Sequence, residues 1–160
     1  MLTKIAKTPK EAKPATGRFV IIAAKYKTRY TDALVRFARA EFKAAGLGSV
    51  KVYRVPGAFE IPVIASHLAR AAEPYDAIVC FGVIMRGATS HADHIATGVT
   101  HALAQLQVDT GVPIIHGVLM FDKPEHAEVR CVEAEHNRGT EAARTAMEMA
   151  RVVRSIGPTD

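Results

Sequence analysis

The eight consecutive residues Ala77-Ile78-Val79-Cys80-Phe81-Gly82-Val83-Ile84 are apolar without interruption. A strand with one face in water alternates apolar with polar side chains, so a run of this kind fits a strand covered on both faces. It is too short to cross a bilayer. Covering both faces of a strand takes apolar-striped helices above and below it, and the flanking sequence supplies them. Arg18-Phe19-Val20-Ile21-Ile22-Ala23-Ala24 reads as another buried strand, ending where polarity rises at Lys25-Tyr26-Lys27-Thr28-Arg29-Tyr30. Thr31 then precedes Leu34, Phe37, Ala38, Phe42 and Ala45 at helical spacing, with Gly46 as the C-terminal cap. Residues 49–55 carry Val50, Val52, Tyr53 and Val55 as a further strand, halted by Pro56-Gly57. Pro62 sits where a first helical turn tolerates it, and Val63, Ile64, His67, Leu68 and Ala71 give the next helix its stripe.

Beyond the central run, a helix from about Ser90 to Thr110 buries Ile95, Val99, Ala102 and Leu106, and Gly111-Val112-Pro113 introduces a fourth strand over residues 114–120. Asp122 and Pro124 start another helix containing Glu125, Glu128 and Arg130. Asn137-Arg138-Gly139 interrupts it before a final helix from Thr140 to about Ile156. That last helix is small-sided and apolar around much of its circumference, as expected of a helix squeezed between neighbours, another subunit among them. Fourfold alternation of strand and helix implies parallel strands, right-handed crossovers and an open α/β sandwich. In such sheets ligands lie outside the carboxyl ends of the strands. Tyr26, Ala58-Phe59-Glu60, the segment from Arg86 to His91 and the segment from Asp122 to Arg130 all follow strands, and so converge on that edge.

The chain has 160 residues, 49% hydrophobic and 23% charged, which fits one compact domain. The domain is expected over residues 18–156, after a flexible basic tail at 1–17 and before a short C-terminal tail at 157–160. Of the net charge of +5, four units lie at the start, where Lys4, Lys7, Lys10, Lys13 and Arg18 face only Glu11. A nucleic-acid binder carries its basic face on the folded part among stacking aromatics, so no nucleic-acid partner is expected. Cys80 and Cys131 form neither a disulfide framework nor zinc spacing, which points to a reducing, cytoplasmic home. No stretch suits a bilayer or a secretory signal, and no membrane partner is expected.

The turn Arg86-Gly87-Ala88-Thr89-Ser90-His91 reads as an anion site with a proton carrier attached. Gly87 permits the sharp turn, and Thr89 or Ser90 can cap the next helix, whose free amide hydrogens and positive dipole end point at any phosphate or carboxylate in the turn. Arg86 adds a charged fork at the entrance. His91 brings the imidazole that would carry the proton. His91, His94 and His101 lie on roughly one side of the helix, but without a carboxylate or thiolate at ligand spacing no metal is expected.

Taken together, Val55-Pro56-Gly57-Ala58-Phe59-Glu60-Ile61-Pro62, the Arg86 to His91 turn with Asp93, Gly111-Val112-Pro113-Ile114 and Asn137-Arg138-Gly139 resemble the lumazine synthase family, in order and spacing, over about residues 18–156. The resemblance implies a flavodoxin-like three-layer α/β sandwich, its four-stranded parallel sheet flanked by helices on both faces. It implies condensation of 5-amino-6-(D-ribitylamino)uracil with 3,4-dihydroxy-2-butanone 4-phosphate in riboflavin biosynthesis, with neither metal nor organic cofactor. On the same ground Tyr26 stacks on the pyrimidine, Ala58, Phe59 and Glu60 meet the ribityl chain, and Val83 and Ile84 lie beside the ring. Gly87, Ala88 and Thr89 form the phosphate turn, Arg130 reaches the phosphate from an adjacent subunit, and His91 carries protons. A homopentamer, or an assembly of pentamers with sites shared between neighbours, is implied as well.

Asp93 is expected to orient His91 or a neighbour, and Arg138 to keep a positive charge near the phosphate. Three positions depart from the family pattern: Lys27 stands where asparagine is usual, His116 where a phenylalanine often crosses the subunit boundary, and Ala134 where lysine is frequent. An imidazole at His116 can still stack on a ring. Two other readings stay open: a flavin- or lumazine-binding protein with weak or no turnover, motivated by Lys27 and His116, and a structural shell protein, motivated by the small-sided final helix.

Overall fold

The structure, a computed structural model, describes residues 3–7 and 15–158. Four parallel strands, β1 (Phe19–Ala24), β2 (Lys51–Val55), β3 (Ala77–Met85) and β4 (Ile114–Phe121), stand in the order β2-β1-β3-β4. Helix α1 (Thr28–Ala44) joins β1 to β2. A 3-10 turn (Ala58–Glu60) and α2 (Ile61–Ala69) lead to β3, and α3 (His91–Thr110) leads to β4. After β4 come a single turn α4 (Pro124–Ala127), a π-helical turn (Glu128–Val132) and α5 (Arg138–Ile156). This is the three-layer α/β sandwich that the alternation implies, with the flavodoxin-like strand order.

Every residue of β1 is buried. Successive side chains of a strand point to opposite faces, so Phe19, Ile21 and Ala23 meet Leu34, Ala38 and Phe42 of α1 and Ala142, Ala143 and Ala146 of α5. Val20, Ile22 and Ala24 meet Ile61 and Ala65 of α2 and Val99, Leu103 and Leu106 of α3. Each fully buried aliphatic or aromatic side chain in these layers contributes about 1.5–3 kcal/mol. The alanine face of α5 is covered by α1 and the sheet, and its far end leaves Val153 and Ile156 exposed. Gly139 sets how closely α5 approaches: a Cβ there would fall 2.2 Å from the Leu34 carbonyl oxygen.

Several element boundaries differ from the sequence reading. Helix α1 begins at Thr28, ahead of Thr31, because Lys27 adopts the left-handed region (φ 60) and turns the chain at once. Its carbonyl accepts the N–H groups of Tyr30 and Thr31 at 2.9 and 3.1 Å. Thr31 thereby becomes a buried residue inside α1, its hydroxyl without a hydrogen-bond partner among the described residues. The segment after Asp122 is not one helix but a short α turn followed by the π turn. Helix α5 starts at Arg138, since the preceding Asn137 is a cap rather than an interruption. Asn137 Oδ1 accepts from the Gly139 and Thr140 amides at 2.8 and 3.4 Å, and Nδ2 donates to the carbonyls of Cys131 and Glu133 at 2.8 and 3.3 Å. One fully buried side chain thus joins the π turn to α5.

Of the basic tail expected at 1–17, residues 1–2 and 8–14 lie outside the described residues, as do 159–160 at the other end. Residues 3–7 lack regular secondary structure, and the Ile5 amide donates to the Glu135 carbonyl at 2.7 Å. Arg144, which also pairs with Glu41 at 2.7 Å, donates to the Ala6 carbonyl at 2.8 Å.

A non-glycine residue in the left-handed region costs about 1–2 kcal/mol, and asparagine tolerates it best because its short polar side chain bonds locally. Lys27→Asn is therefore expected to stabilise the fold by about 0.5–1 kcal/mol in urea denaturation.

Candidate active site at the carboxyl ends of the strands

The crossovers leaving β1 and β3 run to opposite sides of the sheet, which opens a crevice between the carboxyl ends of these two central strands. The loop after β1 is zipped to the loop after β2: the Lys25 amide donates to the Val55 carbonyl at 2.7 Å, and the Tyr26 amide to the Pro56 carbonyl at 3.0 Å. That pairing seats the Tyr26 ring over Gly57, where a Cβ would come within 2.9 Å of the ring and 3.0 Å of the Glu60 carboxylate. Glu60 is aimed by the same turn, its Oε2 accepting the Gly57 amide at 2.9 Å. Carboxylate oxygens accept more than one hydrogen bond, so Glu60 keeps acceptor capacity for a ligand.

Tyr26, Ala58, Phe59, Glu60, Val83, Ile84 and His91 all line one cavity of about 500 Å³, together with Lys27 and Ile95. Ligand cavities for small molecules fall in the range of about 300–1,000 Å³. Two aromatic rings at its mouth, Tyr26 at 67% and Phe59 at 66% exposure, present flat apolar faces. Ala24, Gly57 and Ile95 also line it and were not expected as site residues; for Ile95, expected only as a core residue of α3, its place four positions after His91 on the same helix face was the available signal.

Residues 86–90 form an exposed turn into α3. The Arg86 guanidinium, expected at the entrance, is held instead between two carboxylates, Asp122 at 2.8 Å and Asp93 at 2.7 Å, and its backbone amide donates to the Phe121 carbonyl at 2.9 Å. The Asp93 hydrogen bond and then the Asp122 charge raise the Arg86 pKa. Asp93 therefore orients Arg86 and not His91. Residues two apart on a helix do not face each other, and His91 has no hydrogen-bond partner among the described residues. The expected side-chain cap is also not formed: Ser90 occupies the N-cap position, but its hydroxyl lies 3.3 Å from His94 Nε2. The first-turn amides of α3 follow Gly87-Ala88-Thr89 without a side-chain acceptor from the cap.

The remaining expected residues face elsewhere. His116, on β4, shares a 2.8 Å hydrogen bond with Thr100 of α3 and lines a second cavity of about 490 Å³ with Gln107 and Arg138. Arg138 pairs with Glu141. Arg130 lines a third cavity of about 350 Å³ with Phe121, Val129 and His126. His126 was not singled out in the sequence, although it stands four residues before Arg130. Ala134, the departure that removes a cation, is exposed between the π turn and α5.

Burial pushes the Cys131 thiol up to about 12 and Cys80 higher still, which keeps both as unreactive thiols at neutral pH. Among the described residues no three His, Cys, Asp or Glu side chains gather as metal ligands. No helix among them is long and apolar enough to cross a membrane.

Sheet order and cavity define a doubly wound α/β protein with a cavity of small-molecule size at its switch point. The family model for 6,7-dimethyl-8-ribityllumazine synthase matches residues 16–154. Proteins named 6,7-dimethyl-8-ribityllumazine synthase from Xanthomonas campestris pv. campestris (strain B100) and Xanthomonas oryzae pv. oryzae (strain PXO99A) are each 39% identical to the chain over 145 residues, covering 89% of it and 94% of the relative. One of the same name from Stenotrophomonas maltophilia (strain R551-3) is 38% identical over 145 residues, covering 89% and 93%. The chain belongs to the 6,7-dimethyl-8-ribityllumazine synthase family.

Gly57→Ala tests the seating of Tyr26. Gly57 has an extended backbone, so the added methyl acts through space alone, crowding the Tyr26 ring and the Glu60 carboxylate. Riboflavin, a heterocycle bearing a ribityl chain, is expected to bind about tenfold more weakly by fluorescence titration, with the urea midpoint little changed.

Proposed function

We propose that this chain joins 5-amino-6-(D-ribitylamino)uracil to 3,4-dihydroxy-2-butanone 4-phosphate, forming 6,7-dimethyl-8-ribityllumazine, inorganic phosphate and water. The observation that carries the reading is the convergence of Tyr26, Glu60 and His91, from three separate segments, on one cavity at the switch point. Tyr26 offers a face for the pyrimidine, and Val83 and Ile84 offer strand backbone to its edge. Glu60 accepts from ribityl hydroxyls beside Ala58 and Phe59. The turn Gly87-Ala88-Thr89, at the positive end of α3, suits the phosphate.

The amine attacks the ketone and water leaves, giving an imine. A proton is then removed from the carbon chain, phosphate departs with its C–O electron pair, and ring closure releases a second water. His91, which lines the cavity and has no hydrogen-bond partner among the described residues, is suited to take and return these protons. Holding amine and ketone together supplies the larger share of the acceleration. All of these steps are acid–base and addition–elimination chemistry, and the reading requires no cofactor.

The reading includes a neighbouring copy. His116, Arg130 and Arg138 line other cavities than the one that holds Tyr26, while Tyr26 and Phe59 leave exposed apolar rings at that cavity. Both features support a homopentamer, or an assembly of pentamers, in which one copy's β4 side closes its neighbour's site. Arg130 then grips the phosphate with its planar fork, and Arg138 adds charge nearby. Two buried free thiols support a cytoplasmic setting.

Purified protein given both substrates is expected to form the fluorescent lumazine faster than the spontaneous reaction. Riboflavin binding without synthesis would move the reading to a flavin-binding protein, and a monomeric mass by light scattering would remove the shared site. Arg130→Gln is expected to raise KM for the butanone phosphate about tenfold or more, since a charged hydrogen bond to phosphate is worth about 1.5–3 kcal/mol. KM for the pyrimidine should change little.

A further inference from the structure

We propose that Arg29 and Glu128 are positioning residues for the Arg130 guanidinium; the inference rests on Arg130 acting as the phosphate ligand. Arg29 lies in the first turn of α1, three residues after Tyr26, and reaches across to the π turn with two prongs. Its Nε donates to Glu128 Oε2 at 3.1 Å and its Nη2 to Glu128 Oε1 at 2.6 Å. The hydrogen bond to Glu128, and then its charge, raise the Arg29 pKa. A paired, planar contact of this kind fixes orientation as well as distance.

Glu128 opens the π turn, and Arg130 stands two positions further along it. Side chains two apart on a helical turn project to opposite sides. Pinning Glu128 against α1 therefore turns Arg130 outward, into the cavity it lines with Phe121 and His126. The other end of the turn is fixed separately, by Asn137 on the Cys131 carbonyl. Between these anchors the Arg130 guanidinium makes no ion pair among the described residues and remains open to an anion. The turn before it, α4, is only four residues long and gives little independent rigidity. Arg29 thus ties the loop bearing Tyr26 to the segment bearing Arg130, although it lines neither cavity.

The test compares Arg29→Gln, Glu128→Gln, the double variant and the exchanged pair R29E/E128R with the unaltered protein. KM for each substrate, kcat, and inhibition by inorganic phosphate are measured. Each single variant is expected to raise KM for the butanone phosphate, and to weaken inhibition by phosphate, about three- to tenfold. The double variant should be no worse than either single one, since both changes break the same contact. The exchanged pair should regain part of the loss, with pyrimidine KM and kcat within about twofold throughout. An unchanged phosphate KM in both single variants, losses that multiply in the double variant, or equal losses for both substrates would overturn the inference. Because the pair is exposed, these variants are expected to fold, and thermal melting checks it. Arg130→Gln separates the two levels: no effect there defeats the reading of Arg130 itself, whereas an effect there with none at Arg29 defeats only the positioning role.

Discussion

The burial of β1 on both faces is the constraint from which the rest of the structure follows. Its six residues are all at most 6% exposed, so no strand face is available to water and helices must cover both sides. Two helices lie on each face, α1 with α5 and α2 with α3, so the crossovers leaving β1 and β3 part to opposite sides. The crevice at the strand ends is a by-product of that parting. The core makes few demands on the loops that surround the crevice. Tyr26 and Phe59, which line the cavity there, are largely exposed aromatics that no folding argument requires.

Close packing carries the consequence further along the chain. Gly117 of β4 leaves room for the Phe81 ring, which a Cβ would approach to 2.5 Å, and Gly139 lets α5 rest directly on the backbone of α1. With α5 fixed there, Asn137 at its start can reach back to the Cys131 carbonyl. The interior of the sandwich thereby sets the end of the π turn, and Arg29 sets its beginning from the surface. The irregular segment that carries Arg130 is held at both ends by contacts of different kinds, one buried and neutral, the other a charged pair.

How much of this is legible in the sequence depends on whether a local period or a local cap expresses it. The strands are legible because apolar runs bounded by Lys25, Pro56 and Arg86 admit few other readings, and Tyr26, Ala58, Phe59, Glu60 and His91 because each comes shortly after a strand end. The αL turn at Lys27 is not, since lysine carries no signal for positive φ; the departure from asparagine there marks a residue placed in a conformation that asparagine adopts at lower cost. The π turn is equally invisible, because Glu128 and Arg130 fit an ordinary helical period and only the tertiary anchors impose a wider one. The partner of Asp93 is likewise set by where Asp122 and Arg86 meet across adjacent strand ends, not by spacing along α3.

The division of the site residues between two surfaces has a geometric corollary. On the proposed reading, one copy offers the Tyr26 cavity and receives nothing from its own Arg130, which faces the β4 side. The surfaces that meet are then unlike, cavity rim against β4 side, so each copy can use both at once with two different neighbours. An interface between unlike patches is heterologous, and it generates a closed ring when the rotation from copy to copy divides a full turn, or an open filament when it does not. A two-fold dimer would instead need both patches of one copy to meet both patches of a single partner across one axis. On that reading a closed ring completes every site, and the Arg29 to Glu128 contact is where, within one subunit, the segments bearing Tyr26 and Arg130 touch.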